Sequence, residues 1–547
     1  MNRKEFAEFL LGKTEHTKDE YEAMYPERNI SEGAMVTRFA PSPTGFVHIG
    51  SLFVSFLDVK YAKQSGGISY LRVEDTDTKR TVENGVSNII RDLANFDINF
   101  DEGMISDTEG KGSYGPYMQS LRKDIYVAYA KDLIEKDLAY PCFLSAEEME
   151  DIRGMQEDIK ARIGIYGKYA KYRNMSIEDA VAKIEAGEKY IIRLKSPGNF
   201  DNKIIFDDVI RGRMEFNEND LDIVIIKSDG LPTYHFAHAI DDHLMHTTHV
   251  IRGDEWVSSI PLHVQLFDVL GFDRPKYLHI SPLMKKDNGS VRKLSKRKDA
   301  EAAVSYYHEQ GIPTYAVLLY IMTIANSNFE AWLDANPNGR LEDFELTFNK
   351  MSASGSLFDM DKLLNISKNY ISRLTKDEVY SMALEYSKEY DNELYELLTK
   401  YEEYSKGVFN IEREQAKPRK DLAKFSDIKE YLWYMYDELY TPDNYEFMNV
   451  TDNTEISKIL STYMDKYYDV TDKDTWFNKI KELADELGYA SNMKEYKANP
   501  ENFKGNVADI ATVLRVALTS KAQTPDLYEI MRLFGKDRVL DRYKKFI

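Results

Sequence analysis

The sequence predicts an α/β domain with a parallel sheet, interrupted by an insertion and followed by an all-helical C-terminal half. Three observations carry this reading. Residues 35–79 parse as strand, turn, helix, strand. A second alternation of strands and helices runs over residues 221–298. From about residue 374 the apolar spacing is almost wholly helical.

The first observation is the most informative. Residues 35–40 form a short apolar run that Pro41, Ser42, Pro43, Thr44 and Gly45 stop. Leu52, Phe53, Phe56, Leu57, Val59 and Ala62 then recur at helical spacing until Gly66 and Gly67 end the pattern. A second strand, 68–73, runs into the acidic Glu74, Asp75, Thr76 and Asp77. In such a unit, ligands bind beyond the strand ends. The turn sets Thr44, Gly45, His48 and Gly50 at the helix mouth, where unpaired amides favour phosphate.

Further along, 82–96 reads as an amphipathic helix with Val86, Ile89, Ile90 and Leu93 on one face, and 124–136 as another helix. Residues 139–220 mix short strands and helices. The sheet resumes at 222–226, 249–252 and 277–280, with a helix at 258–270. Helices are expected at 301–310, 315–325, 376–404, 417–440, 454–468, 473–487, 506–520 and 526–544, and also at 3–11 in a polar N-terminal segment.

Bulk properties narrow the function. A chain of 547 residues needs about three to five structural units. Its formal charge is −20, from 72 basic and 92 acidic residues. That argues against general adhesion to nucleic acid, yet leaves room for a local basic surface. The single cysteine, Cys142, excludes an internal disulfide framework and any zinc site built from several thiolates, and fits a reducing cytoplasm. No apolar run approaches the roughly 18 residues of a membrane helix, so no membrane association is expected.

Two short motifs then fix a resemblance. His48, Ile49, Gly50 and Ser51 resemble the HIGH signature of class I aminoacyl-tRNA synthetases, and Lys293, Leu294, Ser295, Lys296 and Arg297 resemble the KMSKS signature. Their flanks, RFAPSPTGFVHIGS and LRVEDTDTKR, are similar to the glutamyl-tRNA synthetase family, bacterial type. The resemblance implies a Rossmann-type catalytic domain with an α+β acceptor-binding insertion and an all-α anticodon-binding domain. It divides the chain into an N-terminal extension (1–34), the first half of the catalytic domain (35–138), the insertion (139–220), the second half with its mobile signature loop (221–298), a stem-contact region (299–373) and the helical domain (374–547). A surface helix packed on the catalytic domain is expected of the extension.

The implied activity is ATP-dependent attachment of glutamate to the 3′ end of its tRNA through a glutamyl-adenylate. Both reactants of the first step are anionic, so catalysis rests on positioning and charge neutralisation. The resemblance assigns catalysis to His48, Lys293 and Lys296, and ATP binding to Thr44, Gly45, His48, Gly50, Ser51, Ser295 and Lys296. The alternative for the lysines is a solvated basic run. Glutamate recognition falls by resemblance to Arg38, Ala40, Ser42, Glu74, Tyr234, His238, Arg252 and Trp256, with His238 standing where several relatives place asparagine. Without the resemblance, Arg38 and Arg252 read as strand-end ion pairs with Glu74 or Asp254.

Asp75, Asp77, Arg80 and Tyr117 fall where the family receives the tRNA end. Arg413, Lys417, Arg419, Lys420 and Lys424 precede Tyr431, Trp433 and Tyr434, a basic-plus-aromatic set that suits splayed bases or forms an ordinary helix face. ATP with Mg2+, glutamate and tRNA(Glu) are the implied partners, with no zinc and a monomeric state. Rival readings are a non-discriminating enzyme that also charges tRNA(Gln), a glutamyl transferase acting on a modified tRNA base, and a catalytically silent tRNA-binding protein.

Overall fold

The structure, a computed structural model, describes residues 1–77, 82–287, 289–295 and 297–547. The chain forms two compact units. One comprises Met1–Tyr306 with Leu318–Asp359, the other Tyr307–Val317 with Met360–Ile547. No helix among the described residues is long and apolar enough to cross a membrane.

The first unit is built on parallel strands. β1 (Val36–Phe39) is followed by α1 (Ile49–Ser65) and β2 (Ile68–Leu71), which pairs with β1 in parallel register, Val36 opposite Ile68. Gly66 ends α1 in the left-handed conformation at φ 69°. Gly67 then passes so close to Met35 that an added Cβ would lie 1.9 Å from its carbonyl oxygen. β3 (Glu102–Met104) extends the sheet beyond β2. Later come α2 (Tyr234–Leu244), β4 (His249–Gly253), α3 (Ile260–Leu270) and β5 (Lys276–Ile280), with β4 and β5 parallel. The two halves meet where the Thr248 amide donates to the Val36 carbonyl at 3.0 Å. Arg38 and Arg252, near the carboxyl ends of β1 and β4, therefore face the same crevice.

The insertion contributes antiparallel strands Ala139–Cys142 and Ile191–Leu194 and a hairpin, Lys203–Asp208 with Gly212–Asn217. The extension forms two helices, Arg3–Leu11 and Lys18–Met24. Beyond them Arg28 donates twice to Glu102, both at 3.0 Å, and stacks 3.8 Å over Tyr114. The extension thus packs on the catalytic unit, as expected.

The regular elements of the second unit are all helical. Lys473–Leu487, Val507–Thr519 and Leu527–Tyr543 fall close to their expected bounds. Two expectations need correction. The single helix 376–404 is broken at Asp391, whose side chain caps the next helix at Leu394 N, and again at Tyr401. The helix 417–440 is instead irregular chain around the short helix Ile428–Leu432 and the 3-10 turns Phe425–Asp427 and Trp433–Met435. Pro418 lacks an amide to continue a helix. Leu422, Phe425, Ile428 and Leu432 go to the core without a regular helix.

Candidate active site

A cavity of about 650 Å³ opens at the carboxyl ends of β1 and β4. It is lined by Arg38, Ala40, Ser42, Glu74 and Tyr234, by Arg252 and Trp256, and by Thr44, His48, Gly50, Ser51 and Lys293. His48 and Lys293, 245 positions apart in sequence, thus border one space.

His48 is the N-cap of α1. Its Nδ1 accepts from the Gly50 amide at 2.9 Å, which leaves the imidazole proton on Nε2 as a donor. The first amides of α1 and the positive end of its dipole make this corner suited to phosphate. Gly45 adopts φ 94° in the preceding turn and shapes it without lining the cavity.

Part of the basic loop is tied down by ion pairs. Arg292 pairs with Asp287 at 2.8 Å and Asp299 at 2.6 Å, and Lys285 pairs with Asp299 at 3.1 Å. Asp299 also accepts from the Ser295 amide at 2.9 Å. Hydrogen bonds from Arg292, against a smaller effect of burial, hold the Asp299 carboxyl far below the usual range. Lys293 reaches the cavity, 3.4 Å from an exposed Glu255. Ser295 is outside the lining, and Lys296 lies outside the described residues, as does Arg80.

The two strand-end arginines differ in their partners. Arg38 pairs with Asp242, 3.3 Å away, rather than with Glu74. Asp242 also takes Arg72 at 2.6 Å, and Arg72 reaches Glu74 at 3.2 Å. Asp242 is fully buried, and despite that burial Arg72 and Arg38 hold its carboxyl well below the usual range. Glu74, at the cavity edge, goes the other way: burial outweighs both arginines and raises its carboxyl to about 7. Arg252 has no carboxylate in ion-pairing distance among the described residues, Asp254 included. Its Nε donates to His279 Nε2 at 2.9 Å, one terminal nitrogen lies 3.1 Å from His263 Nδ1, and the guanidinium sits 4.6 Å from the centre of the Tyr277 ring.

Some expected site residues lie elsewhere. His238 is fully buried behind Tyr234, its Nε2 2.9 Å from the Tyr277 hydroxyl and its Nδ1 3.0 Å from Asp242, so it is core and not cavity wall. Tyr117 is buried, its hydroxyl donating to Glu102 at 2.9 Å, and Asp75 accepts from the Ser120 amide at 2.8 Å; both brace the fold. Asp77 does reach the cavity.

In the second unit Arg413 is buried, donating to the carbonyls of Phe409 and Ile371, and Lys424 meets Gln310 at 2.9 Å. Arg419 pairs with Asp421 at 2.8 Å, while Lys417 and Lys420 are exposed. Sequence reasoning missed Arg72, Asp242, His263 and His279. The four-residue spacing of His238 and Asp242 on one helix was the available signal for Asp242.

Residues 34–365 match the model of the class I tRNA synthetase (E and Q) catalytic domain, and residues 393–547 match an anticodon-binding domain. A glutamate–tRNA ligase of Clostridium perfringens (strain SM101 / Type A) is 50% identical over 550 residues, covering 100% of both chains. That of Clostridium beijerinckii is 48% identical over 551 residues, again covering 100% of both. The crystal structure of a glutamate tRNA ligase from Elizabethkingia meningosepticum, in complex with its amino acid, superposes with a TM-score of 0.74 at 26% identity, covering 94% of this chain and 99% of that one. With both domains matched by family models and half of its residues identical to a full-length relative, this chain belongs to the glutamate–tRNA ligase family of class I tRNA synthetases.

Proposed function

We propose that the chain is an ATP-dependent ligase that joins L-glutamate to the 3′ end of tRNA(Glu) through a glutamyl-adenylate. One observation carries the reading furthest: a single cavity presents a helix N-terminus with His48, the Lys293 ammonium, the Arg38 and Arg252 guanidinium groups and the Glu74 carboxyl. An oxygen of the substrate α-carboxylate attacks the α-phosphorus of ATP, and pyrophosphate leaves. His48 Nε2 and the α1 amides hold phosphate oxygens, and Lys293 meets the charge that develops on the departing group. Magnesium accompanying the nucleotide would supply positive charge at its phosphates. Arg252 and Arg38 take the carboxylates and Glu74 the ammonium group. A ribose hydroxyl of the tRNA end, admitted past Asp77, then attacks the acyl carbonyl and AMP leaves.

Glutamine would leave a buried guanidinium facing a neutral amide, so it is rejected without an editing step. Lys417, Arg419 and Lys420 are candidates for anticodon contact, and the enzyme works as a cytoplasmic monomer. The test is ATP–pyrophosphate exchange and charging with purified tRNAs. Glutamate-dependent exchange and stable charging of tRNA(Glu) are expected. Glutamate attached to a tRNA base, or no exchange at all, would overturn the reading, and equal charging of tRNA(Gln) would replace tRNA(Glu) by a pair of substrates.

A further inference from the structure

The partners of Arg252 carry an inference that rests on the functional reading above and deepens it. A buried guanidinium normally needs a carboxylate, because burying an unpaired charge costs several kcal/mol. Arg38 and Arg72 follow that rule through Asp242. Arg252 is 5% exposed and is instead given imidazole acceptors. Each imidazole is fixed from behind. His279 Nε2 accepts from Arg252, so its proton lies on Nδ1, which meets Asp208 Oδ2 at 2.6 Å. His263 Nδ1 faces Arg252, so its proton lies on Nε2, 2.8 Å from His235 Nδ1. Burial pushes His235 to about 4, and pushes His263 and His279 below the ordinary histidine range, the last against the raising effect of its hydrogen bond to Asp208. All three rings are therefore neutral at pH 7.

Asp208 stands at the end of the insertion's first hairpin strand and is 3% exposed. It also accepts from the amides of Ile210 and Arg211 at 3.0 and 2.9 Å. Its charge is thus held one residue away from the guanidinium. We infer that Asp208–His279 and His235–His263 are two positioning relays that orient Arg252 through neutral acceptors, so that its full positive charge is kept for the anionic side chain of the substrate. A carboxylate in either imidazole position would hold the guanidinium equally well and cancel the charge that tells glutamate from glutamine.

The experiment compares His279→Gln, which keeps a neutral acceptor, with His279→Glu, which supplies a carboxylate, in the full chain with ATP and tRNA present. Pyrophosphate exchange is read against glutamate and glutamine. His279→Gln should change the glutamate KM by less than about fivefold. His279→Glu should raise it by about 100-fold, leave the ATP KM unchanged and lower the glutamate-to-glutamine preference at least tenfold. Asp208→Asn should raise the glutamate KM by about 10- to 100-fold with the ATP KM unchanged. The pair His263→Gln and His263→Glu repeats the contrast on helix α3 rather than on strand β5, and decides the matter if a His279 variant does not fold. Equal effects of Gln and Glu at the position that folds, or an unchanged preference in the Glu variant, would overturn the inference. A wild-type protein without glutamate-dependent exchange would instead overturn the functional reading beneath it.

Discussion

Two neighbouring strand ends each deliver an arginine to one crevice, and they do it by opposite means. At the end of β1, Arg38 shares the buried Asp242 with Arg72, so charge is balanced within the protein. At the end of β4, Arg252 rests on His263 and His279 and keeps its charge unspent. The first arrangement secures the fold and leaves Arg38 a partly neutralised contact for a substrate carboxylate, whereas the second keeps its whole charge for a ligand. A buried ion pair is dear to break and contributes little recognition, whereas a caged cation contributes recognition only when something anionic arrives.

The comparison can be broken most severely at Asp242. Asp242→Asn removes the carboxylate from two buried guanidinium groups, and the unfolding free energy should fall by about 3–5 kcal/mol in urea denaturation. A loss no greater than that of a surface substitution would show that Arg38 and Arg72 do not depend on it.

A smaller effect is expected at Glu74, between the two arginines. Its carboxyl titrates at about 7 in the free protein, and only the ionised form attracts the substrate ammonium group. Affinity is therefore full above this value and is lost as pH falls through it. Between pH 8 and pH 6 the glutamate KM should rise about tenfold, and Glu74→Gln should flatten the profile. A KM without inflection across that window in the wild type would remove Glu74 from ammonium recognition.

The smallest effect sharpens the contrast by serving as its control. The Lys293–Glu255 pair is exposed on both sides and lies in screening solvent. Glu255→Gln should leave the melting temperature unchanged within error, because exposed pairs contribute little. A clear drop would mean that the loop is anchored there more firmly than its exposure allows.

Most of the fold was legible because it rests on local signals. The period of Leu52, Phe53, Phe56 and Leu57, the glycine stop at Gly66 and the strand-helix alternation around β4 and β5 need no long-range information. The helical breaks at Asp391 and Tyr401 were not legible, because an aspartate inside a helical pattern reads as surface until its cap is seen. In the site, the cavity residues that follow the two signatures were found by resemblance. The partners behind them were not, since Asp242 reaches Arg38 across 204 positions of sequence and Asp208 reaches His279 across 71. His238 lies behind the cavity for the converse reason: a polar aromatic carries no sequence mark that separates a cavity wall from the layer behind it.

The staple at Arg28 has one more consequence. That side chain is 3% exposed and closes over Glu102, which in turn receives the Tyr117 hydroxyl. Replacing Arg28 by alanine would strip the half-buried Glu102 of that cation and leave it the Tyr117 hydroxyl as a partner.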